Sequence, residues 1–175
     1  MKFAIAMVAA LVATAPFAAQ AQDAAPINNP NPASFQVYGL PSPPKSVKDD
    51  GVQGGRALPV TVTGSGTPYA VGVNVPLTQA VKAGDRLTVM FYAKLQKAEP
   101  GVTTTKITGQ VQLSGAPYTA IASKPVDLSP EWKLFTFDAV ADKDYAKGQL
   151  TAAFHVNTGK QTVALGVVAV FDKAK

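Results

Sequence analysis

The chain has 175 residues, of which 47% are hydrophobic and only 15% charged, with 14 Gly, 14 Pro, no Cys, one His and a formal net charge of +5. That much apolar material can build one packed domain, so disorder of the whole chain is excluded. The absence of Cys excludes a disulfide scaffold, a Cys-ligated zinc site and a cysteine nucleophile, and the lone His excludes multi-histidine metal sites.

Met1-Lys2 is a short positive start, followed by an uncharged apolar run from Phe3 and then Ala19-Gln20-Ala21, with small residues where a signal peptidase reads. Residues 1–21 are therefore expected to be a secretory signal peptide cut after Ala21. The run is short for a bilayer span and Pro16 interrupts it, which argues against an anchor. No second apolar run approaches spanning length, so no membrane span is expected in the mature chain. That chain, roughly 154 residues, loses Lys2 and carries a charge of about +4. It is expected to be secreted or periplasmic and, without disulfides, held together by its core.

Residues 22–50 read as a Pro/Asn-rich N-terminal segment outside the domain. Pro26, Pro30, Pro32, Pro41, Pro43 and Pro44 remove backbone donors and block helix, so an extended or irregular linker is expected. Phe35 to Tyr38 reads as a short edge strand inside it, and residues 45–55 as a polar loop.

The domain proper is expected over residues 51–175. Seven runs rich in Val, Thr, Phe and Tyr recur at 57–63, 69–75, 86–94, 106–113, 132–137, 150–156 and 162–171, separated by Gly, Pro, Ser and Asp. None shows helical periodicity. The pattern predicts an all-β fold, a two-sheet antiparallel β-sandwich.

Side chains alternate across a strand, so each run splits into two faces. Leu87, Val89, Phe91 and Ala93 share one face, and Arg86, Thr88, Met90, Tyr92 and Lys94 the other. Ile107, Val111 and Leu113 oppose Thr108, Gln110 and Gln112, and Leu150, Ala152, Phe154 and Val156 oppose Thr151, Ala153 and His155. The wetter faces thus carry Tyr92, Gln110, Gln112 and His155, with Asn74 joining them. An aromatic platform beside amides that both donate and accept suits a sugar, which has an apolar C–H face and a rim of hydroxyls. The same alternation is also what the solvated face of any antiparallel sheet shows, and both readings stand at this point.

Residues 54–171 resemble the jelly-roll carbohydrate-binding modules of the galactose-binding-like superfamily, of the cellulose-, β-glucan- and xylan-binding type. The resemblance rests on Gly54-Gly55-Arg56-Ala57-Leu58 before the first core strand and on Lys82-Ala83-Gly84-Asp85 leading into Arg86 to Lys94. It rests also on Pro130-Glu131-Trp132-Lys133 opening another strand, and on the closing run from Gln161 to Phe171. It implies a jelly roll that binds an oligo- or polysaccharide in a sheet-face cleft. Tyr69 and Tyr92 match positions where relatives place aromatics, and Trp132 is read as a packing residue. The resemblance also implies a structural calcium held partly by carboxylates in the closing strand. Gly166-Val167 stands at that place here, so neither calcium nor any other cofactor is expected.

Catalysis is not expected. The mature chain has only two Glu, the Asp49-Asp50 and Asp142/Asp144 pairs read as turn residues, and no nucleophile elbow or phosphate loop is present. The pI near 9.4 comes from lysines spread over turns without a dense stripe, so no nucleic-acid partner is expected. The rival to a glycan-binding module is a structural or protein-interaction jelly roll of the cell envelope, docking through its proline-rich segment.

Overall fold

The structure is a computed structural model that describes residues 25–173; the expected signal peptide lies outside them. It is all-β, a sandwich of two five-stranded antiparallel sheets. The strands are β1 (Gln36–Tyr38), β2 (Val47–Lys48), β3 (Arg56–Val62), β4 (Gly72–Pro76), β5 (Arg86–Ala98), β6 (Thr105–Leu113), β7 (Ala120–Leu128), β8 (Lys133–Val140), β9 (Leu150–His155) and β10 (Gln161–Asp172). The front sheet has the order β1-β4-β9-β6-β7 and the back sheet β2-β3-β10-β5-β8. Non-sequential neighbours in both sheets give the jelly-roll crossovers. No helix among the described residues is long and apolar enough to cross a membrane.

The period-two pattern places the core. Leu87, Val89, Phe91, Ala93 and Leu95 of β5 are all buried, as are Leu150, Ala152 and Phe154 of β9. Phe91 and Phe154 meet between the sheets with ring centroids 4.8 Å apart, and Phe135 stacks on Phe91 at 5.3 Å. Such contacts add about 0.5–1.5 kcal/mol each beyond the area they bury. Each predicted run contains a strand, although in the second run a 3-10 turn over Pro68–Ala70 precedes β4.

Two expectations need correction. The first is the domain boundary at residue 51, because residues before it belong to the sandwich. β1 pairs with β4 and β2 with β3. Ile27 and Asn28 are buried. Ile27 N–H donates to the Val170 carbonyl at 2.8 Å. The Asn28 carboxamide donates to the Val168 carbonyl and accepts from the Val170 N–H, both at 2.8 Å. Proline blocks helix but not extended chain, and this segment uses its remaining donors to close the open side of the sandwich. The second is β7, which carries no strand expectation. Pro125 and Lys124 lie within it, and both are residues that an edge strand tolerates and a central strand does not.

Candidate functional site

The outer surface of the front sheet carries a groove of about 690 Å³. Strand register builds its floor. Asn74 of β4 lies opposite Ala153 of β9, which lies opposite Gln110 of β6; one row along, Pro76, Thr151 and Gln112 align; in the other direction Gly72 and Thr108 flank His155. All these side chains are on the face away from the core. Asn74, Gln110, Gln112 and His155 line the cavity, while Ala153 and Gly72 between them are buried, Gly72 beneath the Tyr38 ring.

Three tyrosines rise around this floor: Tyr38, Tyr69 and Tyr118. Tyr38 ends β1 opposite Gly72, and a Cβ on Gly72 would collide with the Tyr38 phenol. Gly39, with φ of +80°, lets the chain after Tyr38 run against the Ala70 carbonyl, where any side chain would clash. Tyr38 is thereby held against the turn that carries Tyr69. Tyr69 is 61% exposed and meets the His155 ring edge-on, with centroids 6.1 Å apart. Its loop is fixed from below by the buried Asn157. That side chain accepts from Gly64 N–H at 3.0 Å and donates to the Ser65 and Thr67 carbonyls at 2.6 and 3.1 Å. Tyr118 sits in the turn between β6 and β7, closed by its N–H donating to the Gly115 carbonyl at 2.9 Å. It has φ of +56° and is 57% exposed. A left-handed Tyr costs roughly 1–2 kcal/mol, so the fold holds an aromatic ring in solvent at a conformational cost. Such outliers concentrate at functional sites.

Among the described residues, no carboxylate, lysine or arginine lines the groove. Burial holds the His155 pKa below its ordinary value, so the ring is neutral at neutral pH and offers one donor and one acceptor. Burial, with a contribution from the nearby Tyr118 phenol, raises the Tyr38 pKa, so its hydroxyl stays protonated. Gln110 donates to the Ser123 hydroxyl of β7 at 3.4 Å, which orients its amide along the floor. The groove therefore presents apolar ring faces and neutral hydrogen-bonding groups, and among the described residues no pair of carboxylates flanks it as glycoside hydrolysis uses.

Five of the six residues read from the sequence come together here: Tyr69, Asn74, Gln110, Gln112 and His155. Tyr92 does not. Its assignment to the wetter face of β5 is correct, but β5 belongs to the back sheet, so that face is on the opposite side of the molecule. There Tyr92 packs at Gly166, where an added Cβ would touch the Tyr92 Cβ at 3.0 Å and collide with Val52. Tyr38 and Tyr118 were missed by the sequence reading. Their signals are the Phe35–Tyr38 edge strand inside the proline-rich segment and an aromatic following proline in the Gly115–Tyr118 turn. Trp132 is a packing residue on the back sheet. It lies beside Gly51 and Gly166, and the Lys94 ammonium sits 4.6 Å from its ring centroid.

At Gly166, where the resemblance implies a calcium carboxylate, an added Cβ would meet Val52, Tyr92 and Trp132. No three His, Asp or Glu side chains gather at metal-binding distances among the described residues.

A jelly roll with one outer face shaped into a tyrosine-rimmed, amide-floored trough is the architecture of a binding module. The model of the carbohydrate binding domain family matches residues 29–160, and the chain belongs to that family, whose members are non-catalytic domains. Among solved structures, it is similar to the N-terminal cellulose-binding domain of Cellulomonas fimi β-1,4-glucanase C. Identity is 22% and the TM-score 0.61, over 87% of this chain and 99% of that one. The second N-terminal cellulose-binding domain of the same enzyme matches with 16% identity and a TM-score of 0.59, over 89% of this chain and 99% of that one. The CBM22-1 xylan-binding domain of Paenibacillus barcinonensis Xyn10C matches with 11% identity and a TM-score of 0.55, over 85% and 92%. At these identities the likenesses speak for the fold. No curated protein sequence matches.

Proposed function

We propose that the front-sheet groove is the carbohydrate site, and that it binds a segment of an oligo- or polysaccharide weakly and without chemical change. One observation carries this: Tyr38, Tyr69 and Tyr118, from three separate segments, converge on a floor of Asn74, Gln110, Gln112 and His155 to which, among the described residues, no charged side chain belongs. Exposed tyrosine rings would stack on pyranose faces, and the amides and the neutral imidazole would exchange hydrogen bonds with ring hydroxyls. Each neutral hydrogen bond contributes only about 0.5–1.5 kcal/mol net, which points to affinities of roughly micromolar to millimolar. Calcium has no part in this reading. Export to the periplasm or the medium is part of it, supported by the signal-like residues 1–21.

Affinity electrophoresis against soluble β-glucan, xylan and pectin tests the proposal. Retardation by at least one glycan, lost in Tyr118→Ala, is the expected result. No retardation by any of the three, with circular dichroism showing folded protein, would overturn it. A stoichiometric protein partner from a periplasmic extract, indifferent to sugar, would support an envelope subunit instead.

A further inference from the structure

A sandwich of two open sheets has four edge strands, and each edge exposes backbone N–H and C=O groups with which another chain can pair. Three of the edges here are guarded. β1 and β2 are three and two residues long, and β7 carries Lys124 and Pro125 in mid-strand. β8 is different. It runs for eight residues over Lys133–Val140 without Gly or Pro, and it pairs with β5 alone. Among the described residues, no backbone group of another segment bonds to its open side. Its one mid-strand charge is occupied within the chain: the Asp138 carboxylate accepts from the Thr88 hydroxyl at 2.7 Å and pairs with Lys173 at 3.3 Å.

The strand is also complementary to itself. Leu134 and Val140 are 45% and 52% exposed, and alternation puts both on the outer face. They stand at equal distances on either side of Phe137. When two copies of β8 run antiparallel with Phe137 opposite Phe137, Leu134 of each copy meets Val140 of the other and Thr136 meets Asp138. Beyond the strand ends the same register brings Glu131 of each copy toward Lys143 of the other. Both residues are exposed, and neither forms an ion pair among the described residues. Registers shifted by two residues lose this match: one sets Asp138 against Asp138, the other Asp138 against Leu134.

We propose that β8 pairs with β8 of a second copy of this chain, antiparallel about Phe137, so that the back sheets of two molecules continue as one. The two-fold axis of such a pair is perpendicular to the sheet, so both front-sheet grooves open on the same side. The junction is a single pair of strands and small for a permanent interface, so a dissociation constant of roughly 10–100 µM is expected. The pairing stands whatever the grooves bind.

Sedimentation velocity on the protein from about 1 µM to about 1 mM tests this. Monomer at the low end and dimer at the high end is the expected result. Leu134→Glu, at an exposed position and altering both symmetric contacts, is expected to weaken the dimer about tenfold. Glu131→Lys is expected to weaken it about fivefold, and adding Lys143→Glu to that variant to restore it. These two positions lie roughly 40 Å apart along one extended chain, so the rescue comes from contact between molecules. Circular dichroism checks that each variant is folded. Monomer throughout the range overturns the proposal, as does a dimer indifferent to Leu134→Glu. A double variant no tighter than Glu131→Lys alone overturns the register about Phe137.

Discussion

The two outer faces of this sandwich are built by the same alternation and end as opposites. On the front sheet, Asn74, Gln110, Gln112 and His155 are ringed by tyrosines from β1, the turn before β4 and the turn after β6, which leaves a hollow. On the back sheet the equivalent space is covered. Residues 49–55 fold over β10 at Gly166, Val52 is buried there, and Trp132 lies alongside. Lys94 joins the two by reaching the Asp49 carboxylate at 3.2 Å while sitting over the Trp132 ring. Both faces hold aromatics beside polar groups. What separates them is whether a loop returns across the sheet: where one does, the aromatic is structural, and where none does, it is available to a ligand.

This contrast can be broken by experiment. The largest effect is expected on the covered face. Trp132→Ala should cost about 2 kcal/mol of stability in urea melts, from lost burial and the lost cation contact, with glycan affinity unchanged; a loss of affinity at full stability would move Trp132 into the binding site. Next, Tyr69→Ala and Tyr118→Ala should each weaken binding about tenfold by calorimetry, the scale of one aromatic stacking contact. Tyr92→Ala should change affinity by less than about twofold, and the reverse ranking would reverse the assignment of faces. Gln110→Ala should cost about threefold, one neutral hydrogen bond.

The smallest effect is in the response to acid. An unfolded His protonates near its ordinary value of 6.5, while burial makes the folded His155 protonate at lower pH. The unfolded chain therefore binds more protons in that window, and stability falls as pH drops through about 6.5, levelling once the folded ring is also charged. His155→Gln should remove this slope in melting temperature, and a slope that survives the substitution excludes His155 as its source. The back face responds later. Burial alone would raise the Asp49 pKa, but the Gly51 N–H and the Lys94 ammonium outweigh it and hold it below 3.8. Its contribution is complete above that value and is lost only as pH falls through the lower, folded one.

Much of this was legible beforehand. Alternation in 86–94, 106–113 and 150–156 separated core from surface, because a half-buried strand cannot hide its period of two. Five groove residues followed from that separation alone or from resemblance. The failures share one cause. Tyr92 lies on the outer side of its strand but in the other sheet, since alternation divides a strand into two sides without saying which sheet the strand joins. Tyr38 lies where proline density imitates a linker, and Tyr118 in a turn, which has no period to read. β7 was invisible because edge strands are relieved of the composition that marks central ones.

Local chemistry therefore determined the β class, the buried set and the amide-bearing strands, since each depends on residues adjacent in sequence. Only the tertiary structure decided which surface is hollow, which tyrosines surround it and that residues 27–48 close the sandwich. Those outcomes depend on crossovers between distant strands and on the direction in which each loop returns, and neither is encoded in any short stretch of chain.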